Sequence, residues 1–160
     1  MLTVNIICIG KLKEKYLTDA CNEYQKRLKL FCKFNIIELA EVRISDNPSD
    51  AQITQTLESE AALICAKLLP QSYKIAMCIE GKMLSSEQLA KSFEDIALRG
   101  HSTVDIIIGS SHGLSDSIKN SVNFKLSMSP MTFPHQLARV MLCEQIYRAF
   151  QINNNGKYHK

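Results

Sequence analysis

Near its C-terminus the chain reads Met128-Ser-Pro-Met-Thr-Phe-Pro-His-Gln-Leu-Ala-Arg-Val-Met-Leu-Cys-Glu-Gln-Ile-Tyr-Arg-Ala-Phe150, a polar loop that leads into a helix with very little polar face. A helix on a protein surface would carry one apolar stripe. Here the apolar residues are Leu137, Ala138, Val140, Met141, Leu142, Cys143, Ile146, Tyr147, Ala149 and Phe150. We therefore expect the domain to cover this helix on one side and a second subunit to cover it on the other.

The few polar residues of this helix should then lie in or beside the interface between subunits, where an unpaired charge is costly. They are His135, Arg139, Glu144 and Arg148. Glu144 and Arg148 are four residues apart, so a plain intrahelical ion pair is an alternative to a functional role. His135, at the helix start, has two open interpretations, a local contact of the helix end or a functional residue.

Upstream of this helix, apolar strands alternate with amphipathic helices. The patterns predict strands over 2–9, 34–39, 74–80, 104–108 and 124–128, and helices over 16–31, 49–68, 85–100 and 114–121. Ser49 with Gln52 and Ser85 with Gln88 have the spacing of capping boxes. The alternation predicts one α/β domain, residues 1–160, whose mostly parallel sheet is covered by helices on both faces.

Composition is that of an ordinary globular protein, with 46% hydrophobic and 22% charged residues. No apolar run reaches the roughly 18 residues that a membrane span needs. The first nine residues lack a basic segment, so they favour a strand over a signal peptide. The six cysteines form no C-x-x-C pair. We expect reduced thiols in a cytoplasmic protein, with no disulfide, no metal and no membrane partner.

Basic residues are concentrated near the N-terminus although the net charge is only +3. Between Lys11 and Lys33 the basic positions are 11, 13, 15, 26, 27, 29 and 33, against acidic positions 14, 19 and 23. This segment is either a contact surface for nucleic acid or a solvated helix face without a partner.

Three segments are expected at the carboxyl ends of parallel strands, where open sheets of this class bind ligands: residues 77–82, 109–113 and 128–133. Gly81, Gly109 and Gly113 would let the backbone approach a ligand closely. The chain has no G-x-G-x-x-G or P-loop motif and no His pair with zinc spacing. A ligand held by backbone groups and apolar walls, such as an adenine nucleoside, fits these loops.

The C-terminal tail combines an aromatic ring, a titratable ring and positive charge. Tyr158 and His159 stand between Lys157 and Lys160. A frayed end is the ordinary interpretation of such a tail. The residue types also suit contact with an RNA base. If the preceding helix crosses a dimer axis, the tail could complete the partner's site.

Several motifs together resemble the RlmH family, SPOUT-class methyltransferases of 23S rRNA. They are Gly10-Lys-Leu-Lys-Glu-Lys15, Gly81-Lys-Met-Leu-Ser-Ser86, Ile108-Gly-Ser-Ser-His-Gly-Leu114, Met131-Thr-Phe-Pro-His-Gln136, Glu144-Gln-Ile-Tyr-Arg-Ala149 and the terminal Tyr158-His159. The resemblance covers essentially the whole chain. It implies a SPOUT fold with a C-terminal trefoil knot, a homodimer, and S-adenosylmethionine-dependent methylation of N3 of a pseudouridine in 23S rRNA of the assembled ribosome.

The same resemblance assigns residues to the site. The cofactor would contact Met77, Gly109, Met128, Ser129, Pro130, Met131, Thr132 and Phe133. Ser129 and Pro130 fall in a variable part of that loop, so backbone contacts are expected there. Ser110 stands where the family often has glycine. Catalytic roles are expected for His135, Glu144 and Arg148 from the helix and for Tyr158 and His159 from the other subunit.

Two further functions stay open at this point. One is a related knotted methyltransferase that acts on tRNA. The other is a non-catalytic RNA-binding or assembly factor on the same fold. Activity on free tRNA would favour the first, and ribosome binding without cofactor binding would favour the second.

Overall fold

The computed structural model describes all 160 residues and contains one five-stranded parallel sheet with five helices. The strands are β1 (Thr3–Ile9), β2 (Lys33–Leu39), β3 (Tyr73–Met83), β4 (Thr103–Ile108) and β5 (Phe124–Ser127). The helices are α1 (Lys15–Leu28), α2 (Asp50–Cys65), α3 (Ser86–Leu98), α4 (Asp116–Ser121) and α5 (His135–Asn153). The strand order is β2-β1-β4-β3-β5, and all four pairings are parallel.

Helices cover both faces of the sheet, which confirms the predicted architecture. Successive residues of a strand point to opposite faces. Ile6 accordingly joins a core of 21 buried residues with side chains of α1, α3 and α5. Ile7 joins a smaller core of 8 residues with side chains of α2 and α4. None of the helices is long and apolar enough to span a membrane.

Both predicted capping boxes are present. The backbone N–H of Gln52 donates to Ser49 Oγ, and that of Gln88 donates to Ser85 Oγ, with the reciprocal glutamine bonds also formed. Helices α1 and α2 end three residues earlier than predicted, at Leu28 and Cys65. Their last residues continue as tight turns, in which the N–H of Phe31 bonds the carbonyl of Leu28.

Strand β3 is longer than predicted, because it continues past Glu80 to Met83. It pairs with β4 only up to Ala76 and with β5 in two registers, shifted between Met77 and Lys82. A Cβ added at Gly81 would lie 2.7 Å from backbone carbons of the neighbouring strand β5. The expectation that Gly81 allows close approach of a ligand is therefore wrong. The absence of a side chain at Gly81 instead allows close approach of strand β5.

Helix α5 is covered on its inner side by its own chain. Leu142, Cys143, Ile146 and Ala149 are at most 1% exposed. Outer residues such as Met141 and Tyr147 are half-buried, and Leu137 is 40% exposed. Coverage by a second subunit stays a prediction, as does the trefoil knot.

Arg139 is buried and paired within its own chain, so its charge does not depend on the predicted second subunit. It is 1% exposed within one chain, where its Nη1 lies 2.7 Å from Glu38 Oε2. Its Nη2 donates to the carbonyl of Gly10 at 2.9 Å. The side chain thus fastens α5 to the ends of β1 and β2, because a buried guanidinium needs both an anion and hydrogen-bond acceptors.

Candidate cofactor cavity and C-terminal cluster

A cavity of about 690 Å³ opens at the carboxyl edge of the sheet, a volume within the usual range for small-molecule sites. Its wall is built by residues 77–80 within β3, the loop 109–113, the loop 127–134 and the first turn of α5. The three segments that the sequence placed at one edge of the sheet therefore do meet there. Nine of the 21 lining residues are hydrophobic, as expected for a site with apolar walls.

The loop 109–113 is a tight turn that requires glycine at its first position. The N–H of Gly113 donates to the carbonyl of Ser110 at 2.9 Å, and Gly113 has a φ of +84°. A Cβ at Gly109 would collide with the carbonyl oxygen of Gly113. The turn therefore brings bare backbone to the cavity wall, where a ligand can be held by N–H and C=O groups.

Seven of the eight residues expected to contact the cofactor line this cavity: Met77, Gly109, Met128, Ser129, Met131, Thr132 and Phe133. Pro130 is exposed and lies outside the lining. The loop that carries them is braced from within, since the N–H of Met131 donates to Ser129 Oγ at 3.0 Å. Their contact with a cofactor stays a prediction.

Two charged residues of the cavity escaped the sequence analysis. Glu80 and Lys119 form an ion pair with a 2.6 Å separation, and both line the cavity. This pair lowers the pKa of the Glu80 carboxyl. Glu80 belongs to β3 and Lys119 to α4, so no local pattern connects them. No group of three or more Cys, His, Asp or Glu side chains is arranged to hold a metal ion.

Glu60 is a further residue beside the cavity that was not predicted, although its position in the sequence is unusual. It stands on the face of α2 that otherwise holds Leu57, Ala61 and Ile64, and it is only 2% exposed. Its Oε1 accepts a hydrogen bond of 2.8 Å from the hydroxyl of Ser110 in the cavity wall. Burial raises the pKa of this carboxyl. A charged residue on an apolar helix face is the sequence signal that could have found it.

His135 is the one expected catalytic residue that lines the cavity. The pKa of its ring is lowered, mainly by partial burial. The positive charges of Arg139 and Lys13 lower this pKa further, whereas the carboxylate of Glu41 raises it. The imidazole therefore favours its neutral form, in which one ring nitrogen can accept a proton.

The other four expected catalytic residues form a cluster of their own on the outer side of α5. Arg148 contacts Glu144 Oε1 through both Nε, at 3.0 Å, and Nη2, at 2.5 Å. The Tyr158 hydroxyl donates to the same oxygen at 3.0 Å, and the Arg148 guanidinium lies 4.6 Å from the Tyr158 ring centre. His159 Nδ1 lies 3.3 Å from Arg148 Nη1. The intrahelical ion pair is thus present, and the tail packs on its own helix.

Electrostatics hold this C-terminal cluster together. Burial and the bond to Glu144 raise the pKa of Tyr158 to about 12, so its hydroxyl keeps its proton. His159 Nε2 lies 2.7 Å from Glu87 Oε1 at the start of α3. Hydrogen bonds from its own backbone N–H, from His159 and from Ser85 lower the pKa of Glu87 to about 2.

Within one chain His135 lines the cavity, whereas Glu144 lines a neighbouring cavity that shares Ser127 and Met128 with it. His135 precedes Glu144 by nine residues and Arg148 by thirteen on one helix. At 1.5 Å per residue these separations are roughly 14 and 20 Å along the axis. A site that combines His135 with the cluster of a second subunit stays a prediction.

Comparison with known proteins supplies the family. The model described as "Predicted SPOUT methyltransferase" matches residues 2–159. The chain belongs to the SPOUT methyltransferase family. Proteins named ribosomal RNA large subunit methyltransferase H are 48% identical in Clostridium novyi and 46% identical in Clostridioides difficile, over 99% of this chain and 100% of each relative. The resemblance to the RlmH family is thereby confirmed.

A solved structure supports the SPOUT fold alone. It is that of a probable methylase family protein from Haemophilus influenzae Rd KW20, with a TM-score of 0.54 at 12% identity. The match covers 98% of this chain and 70% of that chain.

The cavity of this SPOUT chain suits a methyl donor with a nucleoside part. The Gly109 turn presents backbone where any side chain would collide, and Met77, Met128 and Phe133 supply apolar wall. A purine ring needs this combination of apolar packing and backbone hydrogen bonds. The residues that line the cavity are thus chemically suited to S-adenosylmethionine.

Proposed function

We propose that this protein is a cytoplasmic rRNA methyltransferase that transfers a methyl group from S-adenosylmethionine to N3 of a pseudouridine in 23S rRNA of the assembled ribosome. The observation that carries the proposal is the 690 Å³ cavity, whose Gly109 turn and residues 131–134 belong to the motifs by which the chain resembles the RlmH family. Relatives matched along their full length bear the name of a large-subunit rRNA methyltransferase, which supports the substrate class.

The cofactor would be held by Met77, Gly109 and the loop 128–133, mainly through apolar packing and backbone groups. When bound, S-adenosylmethionine supplies a methyl group already activated by its sulfonium sulfur. The chain must then hold the base nitrogen in line with that methyl group, exclude water and manage the N3 proton.

His135 would manage that proton. It lines the cavity, and its lowered pKa keeps the ring neutral and able to accept the N3 proton or to pass it to water. The hydrogen bond from the backbone N–H of Lys13 to Gln136 and the bonds of Arg139 fix the first turn of α5 in place. That rigidity serves the alignment which methyl transfer requires.

The functional unit would be a homodimer with composite sites. The outer residues of α5 remain half-buried in one chain, and a second α5 would cover them. Such packing would bring Glu144, Arg148, Tyr158 and His159 of one subunit toward the cavity of the other. Aromatic and cationic side chains of this kind are suited to stack on a base and to neutralise phosphate.

The test is methyl transfer from isotopically labelled S-adenosylmethionine to assembled ribosomes, to isolated large subunits and to tRNA. We expect label in large-subunit rRNA, most efficiently in assembled ribosomes, and none in tRNA. Label in tRNA alone would show that the substrate is tRNA and not 23S rRNA. Binding of ribosomes without any transfer or donor binding would replace the proposed enzyme with a non-catalytic factor.

A further inference from the structure

One carboxylate lies directly behind the cavity wall without an ion-pair partner. Glu60 Oε1 accepts the Ser110 hydroxyl bond, and Glu60 Oε2 is buried with no side-chain hydrogen-bond partner. Ser110 is itself a lining residue and only 8% exposed. The side chain therefore connects the core of α2 to the loop 109–113 through a single hydroxyl group.

The other acidic groups around the cavity are either paired or exposed. Glu80 is paired with Lys119, and Glu38 is paired with Arg139. Glu41 is exposed to solvent. Glu60 alone combines burial with the absence of a cation. Since a buried charge without a partner is costly, its position behind a ligand cavity points to a ligand that carries the opposite charge.

We propose that Glu60 makes this cavity prefer a cationic ligand, the sulfonium methyl donor, over the neutral thioether that remains after methyl transfer. The inference rests on the proposed function and adds a specificity-determining residue to it. The two ligands share the nucleoside, the amino group and the carboxylate, and differ by one methyl group and its positive charge. A negative charge behind the wall acts alike on the charges that both ligands share, so it changes the ratio of their affinities only through the sulfonium charge.

The groups that face Glu60 decide how this preference depends on pH. Burial raises the pKa of Glu60 and Glu41 raises it further, whereas the Ser110 hydroxyl, the Val42 backbone and His112 lower it. The net direction is upward, so Glu60 takes up its proton at a higher pH than an exposed glutamate. As the pH falls, the preference for the cation should therefore disappear before ordinary carboxylates titrate.

The experiment is calorimetric titration of the protein with S-adenosylmethionine and with S-adenosylhomocysteine. Glu60→Gln keeps the shape and the acceptor for Ser110 but removes the charge. Glu58→Gln is the matched control, since Glu58 is exposed on the same helix and also accepts a serine hydroxyl, that of Ser117 at 3.0 Å. We expect the affinity ratio of the two ligands to fall at least about fivefold in Glu60→Gln and to stay unchanged in Glu58→Gln.

Equal weakening of both ligands in Glu60→Gln, or no change, would overturn the inference and leave Glu60 a structural residue. If that variant does not fold, the ratio is measured between about pH 8 and pH 5 on a variant with His112→Gln and His135→Gln, which removes the two imidazole rings from the cavity lining. A ratio that falls with pH supports the inference, and a flat ratio overturns it. An unaltered protein that binds neither ligand would instead refute the proposed methyl donor, and this inference with it.

Discussion

At the scale of single residues, His135 gives the proposed mechanism its pH dependence. If its neutral ring accepts the N3 proton, the rate should fall as the pH drops through a pKa below the ordinary value of 6.5. We expect His135→Gln to lower the rate about 100-fold or more and to abolish this acid limb. The measurement is the pH profile of methyl transfer at saturating donor.

His112 provides the matched control for that variant, because it lines the same cavity but is exposed. His112→Gln should keep both the rate and the acid limb. An unchanged profile in His135→Gln would show that another group handles the proton.

The lowered pKa of His135 also affects the free energy of unfolding. The unfolded chain binds the proton more readily than the folded chain, so the folded state is stabilised relative to the unfolded one above about pH 6.5 and loses that stabilisation as the pH falls.

Gly109 gives a second prediction at the residue scale. In Gly109→Ala the new methyl group meets the Gly113 carbonyl, so the turn must shift and donor affinity should fall at least about tenfold. Calorimetry measures the affinity, and circular dichroism checks the fold. Gly100→Ala is the control: Gly100 has a φ of +89° but open space around it, so this change should destabilise by about 1 kcal/mol and leave donor affinity unaltered.

At the scale of elements, Asp105 connects β4 to β1 and to the segment between α2 and β3. It is fully buried on β4 and accepts bonds from Asn5 Nδ2 at 2.8 Å, from the Ser72 hydroxyl at 2.5 Å and from the Leu69 N–H at 3.2 Å. Asp105→Ala leaves these buried donors unpaired. We expect a loss of about 2–4 kcal/mol in the free energy of unfolding, measured with urea.

The control for that loss is Asp19→Ala, which removes an exposed pair with Lys15 on α1. Exposed pairs of this kind contribute less than about 1 kcal/mol. Equal stability changes in the two variants would contradict the structural role given to Asp105.

Local signals in the sequence predicted much at this scale. The pairs Ser49 with Gln52 and Ser85 with Gln88 lie three residues apart, and both form the expected caps. Contacts between distant segments carried no such signal. Arg139 bonds Gly10 across 129 positions and Ser110 bonds Glu60 across 50. The second register of β3 against β5 likewise had no signal in the sequence, because strand pairing joins distant segments of the chain.

At the scale of the whole molecule, we predict that the cavity and the C-terminal cluster belong to one site that two subunits share. A variant lacking residues 157–160 and a Gly109→Ala variant should each be nearly inactive. When co-expressed, they should form mixed dimers in which the intact cavity of one subunit meets the intact tail of the other. We expect substantial recovery of methyl transfer in those mixed dimers, measured with labelled donor.

No recovery in purified mixed dimers would show that the tail does not act across the dimer. Donor affinity of the tail-less variant should stay close to that of the unaltered protein, because Tyr158 and His159 lie outside the cavity. A monomer in solution with full activity would contradict the dimeric site itself.

The most direct test of the proposed function is mass spectrometry of the nucleosides of assembled ribosomes after incubation with the protein and labelled S-adenosylmethionine. We expect one new methylated nucleoside in 23S rRNA, with the label on N3 of a pseudouridine. Label on a different base, or no label in ribosomes although the donor binds, would contradict it.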